Sequence, residues 1–162
     1  MAPRPLQGYE FAETITPHEA SFDVNRHVNV GYYGVFFDLA ADVWMHRHEM
    51  TEHYITTQQR SMFISESRTR YFREVTPGGK MDIYFRVHDL SPKAILGHLV
   101  MLDPETGEFI AALEALWLSV DLKTRKVSPF EPVIYDEFAR VQAEHHREVP
   151  DVPFTGMIAF RK

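Results

Sequence analysis

The chain has 162 residues, of which 44% are hydrophobic and 13% aromatic, which suits one domain with a substantial core and argues against disorder. A formal net charge of −6 lacks the basic footprint of a general nucleic-acid binder. The chain contains no cysteine, which excludes disulfides, thiolate nucleophiles and cysteine-ligated zinc, and no run approaches the ~20 apolar residues of a membrane span.

Residues 9–16 alternate well enough for a short strand closed by Pro17, and 17–29 read as loop. Residues 30–47 read as a long helix. Val30, Tyr33, Phe37, Ala40, Ala41 and Trp44 recur at helical spacing, and Phe36, Leu39 and Val43 add apolar surface on other sides. Most of this helix is therefore expected to be enclosed. The stretch 48–59, rich in histidine and threonine, reads as a polar connection. Residues 61–75 read as a long strand ended by the turn Thr76-Pro77-Gly78-Gly79. Three more strands follow at 80–90, 93–102 and 109–122. The last two flank Asp103-Pro104-Glu105-Thr106-Gly107, which has hairpin-loop chemistry. A surface-type helix over 132–147 and a proline-broken tail from 148 complete the chain. An early strand, a long helix and a four-strand antiparallel meander make an α+β order.

The most informative stretch is Asp23-Val24-Asn25-Arg26-His27-Val28-Asn29-Val30-Gly31-Tyr32-Tyr33, which holds both asparagines of the protein. It feeds a polar loop into the N-terminus of the apolar helix, where unpartnered amides and the positive end of the helix dipole favour an oxyanion. The segment resembles the Asp-x-x-x-His-hydrophobic-Asn-x-x-x-Tyr signature of hotdog-fold acyl-CoA thioesterases of the 4-hydroxybenzoyl-CoA thioesterase kind. The likeness continues in order through residues 63–75, where Arg70-Tyr71-Phe72-Arg73-Glu74-Val75 closes the strand, then Pro77-Gly78-Gly79-Lys80 and 81–122. It covers about 9–130. The run from His27 to Tyr33 and the later Ser128-Pro129-Phe130 look most like the thioesterases of carnitine and betaine metabolism.

The resemblance implies a hotdog fold, with a long central helix wrapped by a curved antiparallel sheet. It implies one such domain over 1–162, with a core at about 9–130 and a C-terminal helix and tail at 131–162. It also implies a homodimer or tetramer with the active site between subunits. The substrate would be an acyl-CoA with a small acyl group, betainyl-CoA among the candidates, hydrolysed without metal or organic cofactor. With no cysteine and no apolar leader in 1–11, the expected location is the cytoplasm, with neither membrane nor nucleic acid as partner.

Thioester hydrolysis requires an activated water or a carboxylate nucleophile, and donors for the carbonyl oxygen. The resemblance maps the catalytic carboxylate onto Asp23. Asn25 and His27 are candidates to orient it, Asn29 suits a helix N-cap, and amides at Val30, Gly31, Tyr32 and Tyr33 are candidate oxyanion and substrate contacts. The plainer reading of the same residues is an Asx-rich turn that caps a helix. Glu66 is a second candidate carboxylate, sharing a strand face with Arg68 and Arg70. A surface glutamate paired across an exposed sheet explains it as well. Arg68, Arg70 and Arg73 are candidates for the phosphates of CoA, although cross-strand pairing on a wet face accounts for them equally. Asp38 and Asp42 make either a carboxylate pair or a solvated or interface stripe.

A cage for a quaternary ammonium would draw on Tyr32, Tyr33, Phe36, Trp44, Tyr71 and Phe72. No metal site is expected: His48-Glu49-Met50-Thr51-Glu52-His53 misses the zinc spacing by one residue, turning the rings about 140° apart on a helix. Two other functions fit the same motif. One is a hotdog hydratase or dehydratase using Asp23 with His27; the other is a non-catalytic acyl-CoA binding module.

Overall fold

The structure, a computed structural model, describes residues 3, 5–150, 158 and 160. In chain order the elements are β1 (Glu10–Ile15), α1 (Val30–Arg47), α2 (Glu52–Gln58), β2 (Arg60–Tyr71), β3 (Met81–Ser91), β4 (Ala94–Leu102), β5 (Phe109–Asp121), β6 (Lys126–Val127) and α3 (Pro132–His145), with a single 3-10 turn at Glu19–Ser21. The strands form one antiparallel sheet in the order β1-β3-β4-β5-β2, with β6 pairing onto β5. The class is α+β, and the sheet curls round α1.

Three expectations change here. Only β3, β4 and β5 form a meander. β2 crosses over to pair with β5, because its partner is chosen by which inner face can cover α1 and not by nearness in sequence. The stretch 48–59 is also not irregular throughout. Thr51 caps α2 by accepting from the Tyr54 amide at 3.1 Å, and Tyr54 and Ile55 turn inward onto the core. β2 stops at Tyr71, so 72–75 leave the sheet and approach the start of α1.

The sheet's inner face is apolar throughout its centre. Phe85 and Val87 of β3, Ile95 and Leu99 of β4, and Leu113, Ala115 and Trp117 of β5 pack with Phe37, Ala40, Ala41 and Trp44 of α1. Trp44 lies flat on Phe85, with ring centroids 4.0 Å apart and planes 8° apart, and Phe138 of α3 stacks on it at 5.7 Å. Gly97 of β4 makes that layer possible. A Cβ there would stand 2.6 Å from Trp117 and 2.9 Å from Phe85. The expectation of a nearly enclosed α1 holds on one side only: Val30, Val35 and Leu39 are at least half exposed.

The opposite face of the sheet carries a row of charged and titratable side chains in direct register, Arg86, His98, Glu114 and Arg68, one from each of β3, β4, β5 and β2. Glu114 is 2% exposed and lies 3.6 Å from His98 and 3.9 Å from Arg68. Burial pushes the His98 imidazole down to about 3, so it stays neutral. Ile158 and Phe160 pack beside this row on Ala94, Leu96, Leu116 and Leu118. The rest of the segment expected as a tail after 150 lies outside the described residues.

Gly97→Ala should destabilise the protein by ~1–3 kcal/mol, the usual cost of forcing an extra group into a packed core. Urea denaturation measures it, and a change under 0.5 kcal/mol would show that the Phe85–Trp117 layer can part freely.

Candidate active site

Phe22 to Val28 form a tight loop at the N-terminal end of α1. Phe22 and Val28 bridge, the Asp23 amide donates to the His27 carbonyl at 3.0 Å, and the Arg26 amide donates to the Asp23 carbonyl at 3.0 Å. Turning the chain in so few residues takes Arg26 into the left-handed region at φ 60°. The loop is anchored behind by the Val28 amide on the Val75 carbonyl and the Asn29 amide on the Ser21 carbonyl, each at 2.8 Å.

Within the loop, Asp23 Oδ1 accepts from the Asn25 amide at 2.8 Å, an Asx turn, which fixes the carboxylate plane. Its Oδ2 lies 3.6 Å from His27 Nδ1, and both side chains are partly exposed. The same imidazole nitrogen is 3.4 Å from the Val28 carbonyl. The loop therefore brings Asp23 and His27 together, with Asn25 acting through its backbone.

Asn29 is the N-cap of α1, as expected, but its effect on the first-turn amides is different. Asn29 Oδ1 accepts from the Gly31 amide at 3.0 Å, and its carbonyl accepts from the Tyr32 amide at 2.9 Å. Those two donors are taken by the cap itself. The Val30 amide has no acceptor among the described residues, so it is a first-turn donor open to a ligand.

Beside it lies an open cavity of about 310 Å³, lined by His27, Val28, Val30 and Tyr33 from the loop and α1 and by Tyr71, Phe72, Arg73 and Glu74 from the end of β2. Tyr33 and Tyr71 meet edge to face with centroids 5.2 Å apart. Burial pushes the Tyr33 hydroxyl above its ordinary value, against the hydrogen bond it makes to the Val75 backbone. The hydroxyl is therefore a neutral donor at physiological pH. Arg73 and Glu74 reach this wall through the bend after Tyr71, a placement that no local sequence pattern announces.

Other candidates lie elsewhere. Glu66 pairs with Leu116 on the sheet face opposite α1, so this chain does not bring it to Asp23. It lines a different cavity of about 610 Å³ with Ser65, Lys93, Leu116, Leu118 and Phe160. Arg68 and Arg70 share that outer face, with Arg68 beside Glu114 and Arg70 over the Phe72 ring at 5.3 Å. Arg73 binds Glu108 and lies 3.5 Å from Asp103 across the β4–β5 loop. The three arginines thus do not form one cluster in the chain.

Tyr32 turns toward His18 and Phe36 and does not line the 310 Å³ cavity. Trp44 and Phe36 are core residues at 0% and 3% exposure, so neither belongs to an aromatic cage. Asp38 and Asp42 line a cleft between α1 and β2, where burial and then Asp38 raise the Asp42 carboxyl above its usual range. His48 caps α1 while His53 belongs to α2, so the two rings of the near-zinc motif sit on different elements.

A sequence profile of the thioesterase-like superfamily matches residues 16–138, which include the loop, α1 and the whole sheet beyond β1. The chain belongs to that superfamily. Its fold is the hotdog, shared with solved structures at low identity. The Staphylococcus aureus protein SAV2348, solved in complex with CoA, is 17% identical with a TM-score of 0.77 over 94% of this chain and 97% of that one. The DHNA-CoA thioesterase of S. aureus is 15% identical at TM-score 0.77, covering 86% and 94%. The 1,4-dihydroxy-2-naphthoyl-CoA thioesterase Slr0204 of Synechocystis is 12% identical at 0.71, covering 80% and 95%. No curated protein matches the chain significantly.

Asn29→Ala should lower stability by ~0.5–2 kcal/mol through loss of the cap, whereas Asn29→Asp, which keeps the acceptor, should stay near the parent. Thermal melting of the two variants separates a capping role from none, since equal losses would mean that the Gly31 contact contributes nothing.

Proposed function

We propose that this thioesterase-like protein hydrolyses acyl-CoA thioesters at the N-terminal end of α1, with Asp23 as the catalytic carboxylate. The observation that carries the reading is that His27, 3.6 Å from the Asp23 carboxylate, and Val30, whose amide is open, line one aromatic-walled cavity. In the general-base form, Asp23 takes a proton from water as the water oxygen bonds to the thioester carbon. The carbonyl oxygen gains negative charge and accepts from the Val30 amide, where the helix dipole favours an anion. The C–S bond then breaks, the thiolate is protonated to CoA, and a carboxylic acid is left. His27, against Asp23, is placed to supply that proton. In the nucleophilic form, an Asp23 oxygen attacks the carbonyl carbon, and the C–S bond breaks to release CoA as thiolate and leave a mixed anhydride on Asp23. Water then cleaves the anhydride to the carboxylic acid and free Asp23.

The cavity size favours a small acyl group. Tyr33, Tyr71 and Phe72, with Glu74 at the edge, suit a cationic one such as betainyl. Comparing kcat/KM for betainyl-CoA and a neutral isostere tests this finer reading, and preference for the neutral substrate removes it.

A homodimer belongs to the same reading. β2 is a 12-residue strand with one edge unpaired among the described residues and carries the exposed apolar residues Ile64 and Tyr71, while α1 exposes Val35 and Leu39. Soluble proteins seldom leave such an edge open. A second copy pairing on β2 is the route by which Glu66 and the outer arginines would approach a neighbouring active site. Light scattering at micromolar concentration should give at least a dimer; a stable, active monomer contradicts it.

Asp23→Asn should lower kcat by at least ~10²–10⁴-fold with folding nearly unchanged, because the amide still accepts from Asn25 but is neither base nor nucleophile. Release of free thiol from an acyl-CoA panel is the measurement. Near-normal turnover by folded Asp23→Asn protein defeats the mechanism, and binding without turnover by the parent protein identifies a non-catalytic module.

A further inference from the structure

The C-terminal end of α1, far along the helix from Asp23, is held by a charged cluster that none of the chemistry above uses. His48 is 7% exposed, and both of its ring nitrogens meet carboxylates: Nδ1 is 2.7 Å from Glu137 of α3 and Nε2 is 2.8 Å from Glu10 of β1. A neutral imidazole has one N–H and one lone pair, and a lone pair cannot face a carboxylate oxygen at that distance. The geometry therefore requires the doubly protonated ring. The surrounding charges agree. Trp44 Nε1 donates to Glu10 at 2.9 Å, Arg47 is 4.0 Å from Glu10, and Arg140 binds Glu137 at 2.6 Å. The Arg140 bonds, with His48, hold the Glu137 carboxyl down at about 2, so this partner does not titrate near neutral pH.

The other end of α3 makes the opposite demand. Val87 lies beyond the last β1–β3 pair, Glu10 with Phe85, so its amide has no strand partner on that side. His145, the last residue of α3, fills the place: its Nδ1 accepts from the Val87 amide at 3.0 Å. A ring accepting at Nδ1 is neutral. Arg86 of β3 donates to the His145 carbonyl, which places a positive charge beside the ring, and Glu10, His48 and Glu144 also act on it.

We propose that α3 is a pH-bounded latch, docked only while His48 is charged and His145 is neutral, so that it grips most firmly in a window around the ordinary imidazole value and loosens on both sides. The signs follow from each ring. Burial opposes charge on His48, but the bonds to Glu10 and Glu137 outweigh it and raise its pKa. Its contribution is complete below about 6.5 and is lost as pH rises through the raised value. Burial, then Arg86 and His48 against the pull of Glu10, holds His145 at about 4. Its contribution is complete above about 6.5 and drains away as pH falls toward 4, by roughly 300-fold in the docking equilibrium at ten-fold per unit. Loosening α3 would withdraw Ile134, Phe138 and Val141 from the core and uncover Trp44.

The test is a nuclear magnetic resonance titration of the histidine rings in the full-length protein, with melting temperature followed over the same pH range. The His48 ring should titrate above 6.5 and the His145 ring well below it. The parent's stability should peak between them. His48→Gln should remove the alkaline fall, and His145→Asn, whose Oδ1 stands where Nδ1 accepts from Val87, should flatten the acid one. Ring midpoints both near 6.5, or variant-to-parent differences in melting temperature that do not change with pH, overturn the latch. The ring titration stands even where a variant does not fold.

Discussion

The structure depends on one packing layer, the indole of Trp44 held between Phe85 and Phe138, with Phe85 and Trp117 seated in the space left by Gly97. A tryptophan at 0% exposure near the end of an 18-residue helix fixes how far α1 can slide in the curl of the sheet. That position in turn decides where the helix begins, and hence where Asp23, His27 and the Val30 amide stand relative to Tyr71. The chemistry proposed at one end is set by aromatic packing at the other. The Trp44 Nε1 bond to Glu10 ties the same layer to β1 and His48, so α1 is located by polar and apolar contacts together.

The parts that were legible in the sequence are those governed by local chemistry. The 30–47 helix was bounded by its capping asparagine and its apolar rhythm, and the turns at 76–79 and 103–107 by glycine and Asx chemistry. β3, β4 and β5 follow from alternating or continuous apolar runs. What was not legible is non-local. Nothing in 60–71 states that this strand skips its neighbour to pair with β5, and that single choice puts Glu66, Arg68 and Arg70 on the face away from α1. The exposed side of α1 was misread for a related reason. Val30 and Leu39 look like core because apolar residues at helical spacing do not say which neighbour will cover them.

The candidate site divides in the same way. The Asp23-to-Tyr33 spacing identified the loop, and the Asx turn and the N-cap are contacts between residues two apart, which sequence reasoning can reach. Which amide stays open was not reachable. The side chain and carbonyl of Asn29 compete for the same first-turn donors that seemed available to a ligand, and only coordinates show that Gly31 and Tyr32 lose that competition while Val30 does not. His48 is the extreme case. Its partners stand 38 and 89 residues away, so a ring that looked like half of a failed zinc motif is a cation between two carboxylates.

The two ends of α1 are built on opposite rules. At the C-terminal end the imidazole, both carboxylates, the indole and the two arginines satisfy one another, and the cationic ring near the helix terminus also complements the dipole there. At the N-terminal end the Val30 amide has no acceptor among the described residues, a carboxylate is half satisfied and Arg26 is held at φ 60°. Those features cost stability locally, and a loop bearing them would rearrange unless its base were fixed. The anchors on Val75 and Ser21 and the fully occupied cap at Asn29 supply that fixity without using the groups a substrate would need. Satisfied contacts thus surround the open ones, which is the arrangement that lets a helix terminus keep an unpaired donor aimed at a cavity.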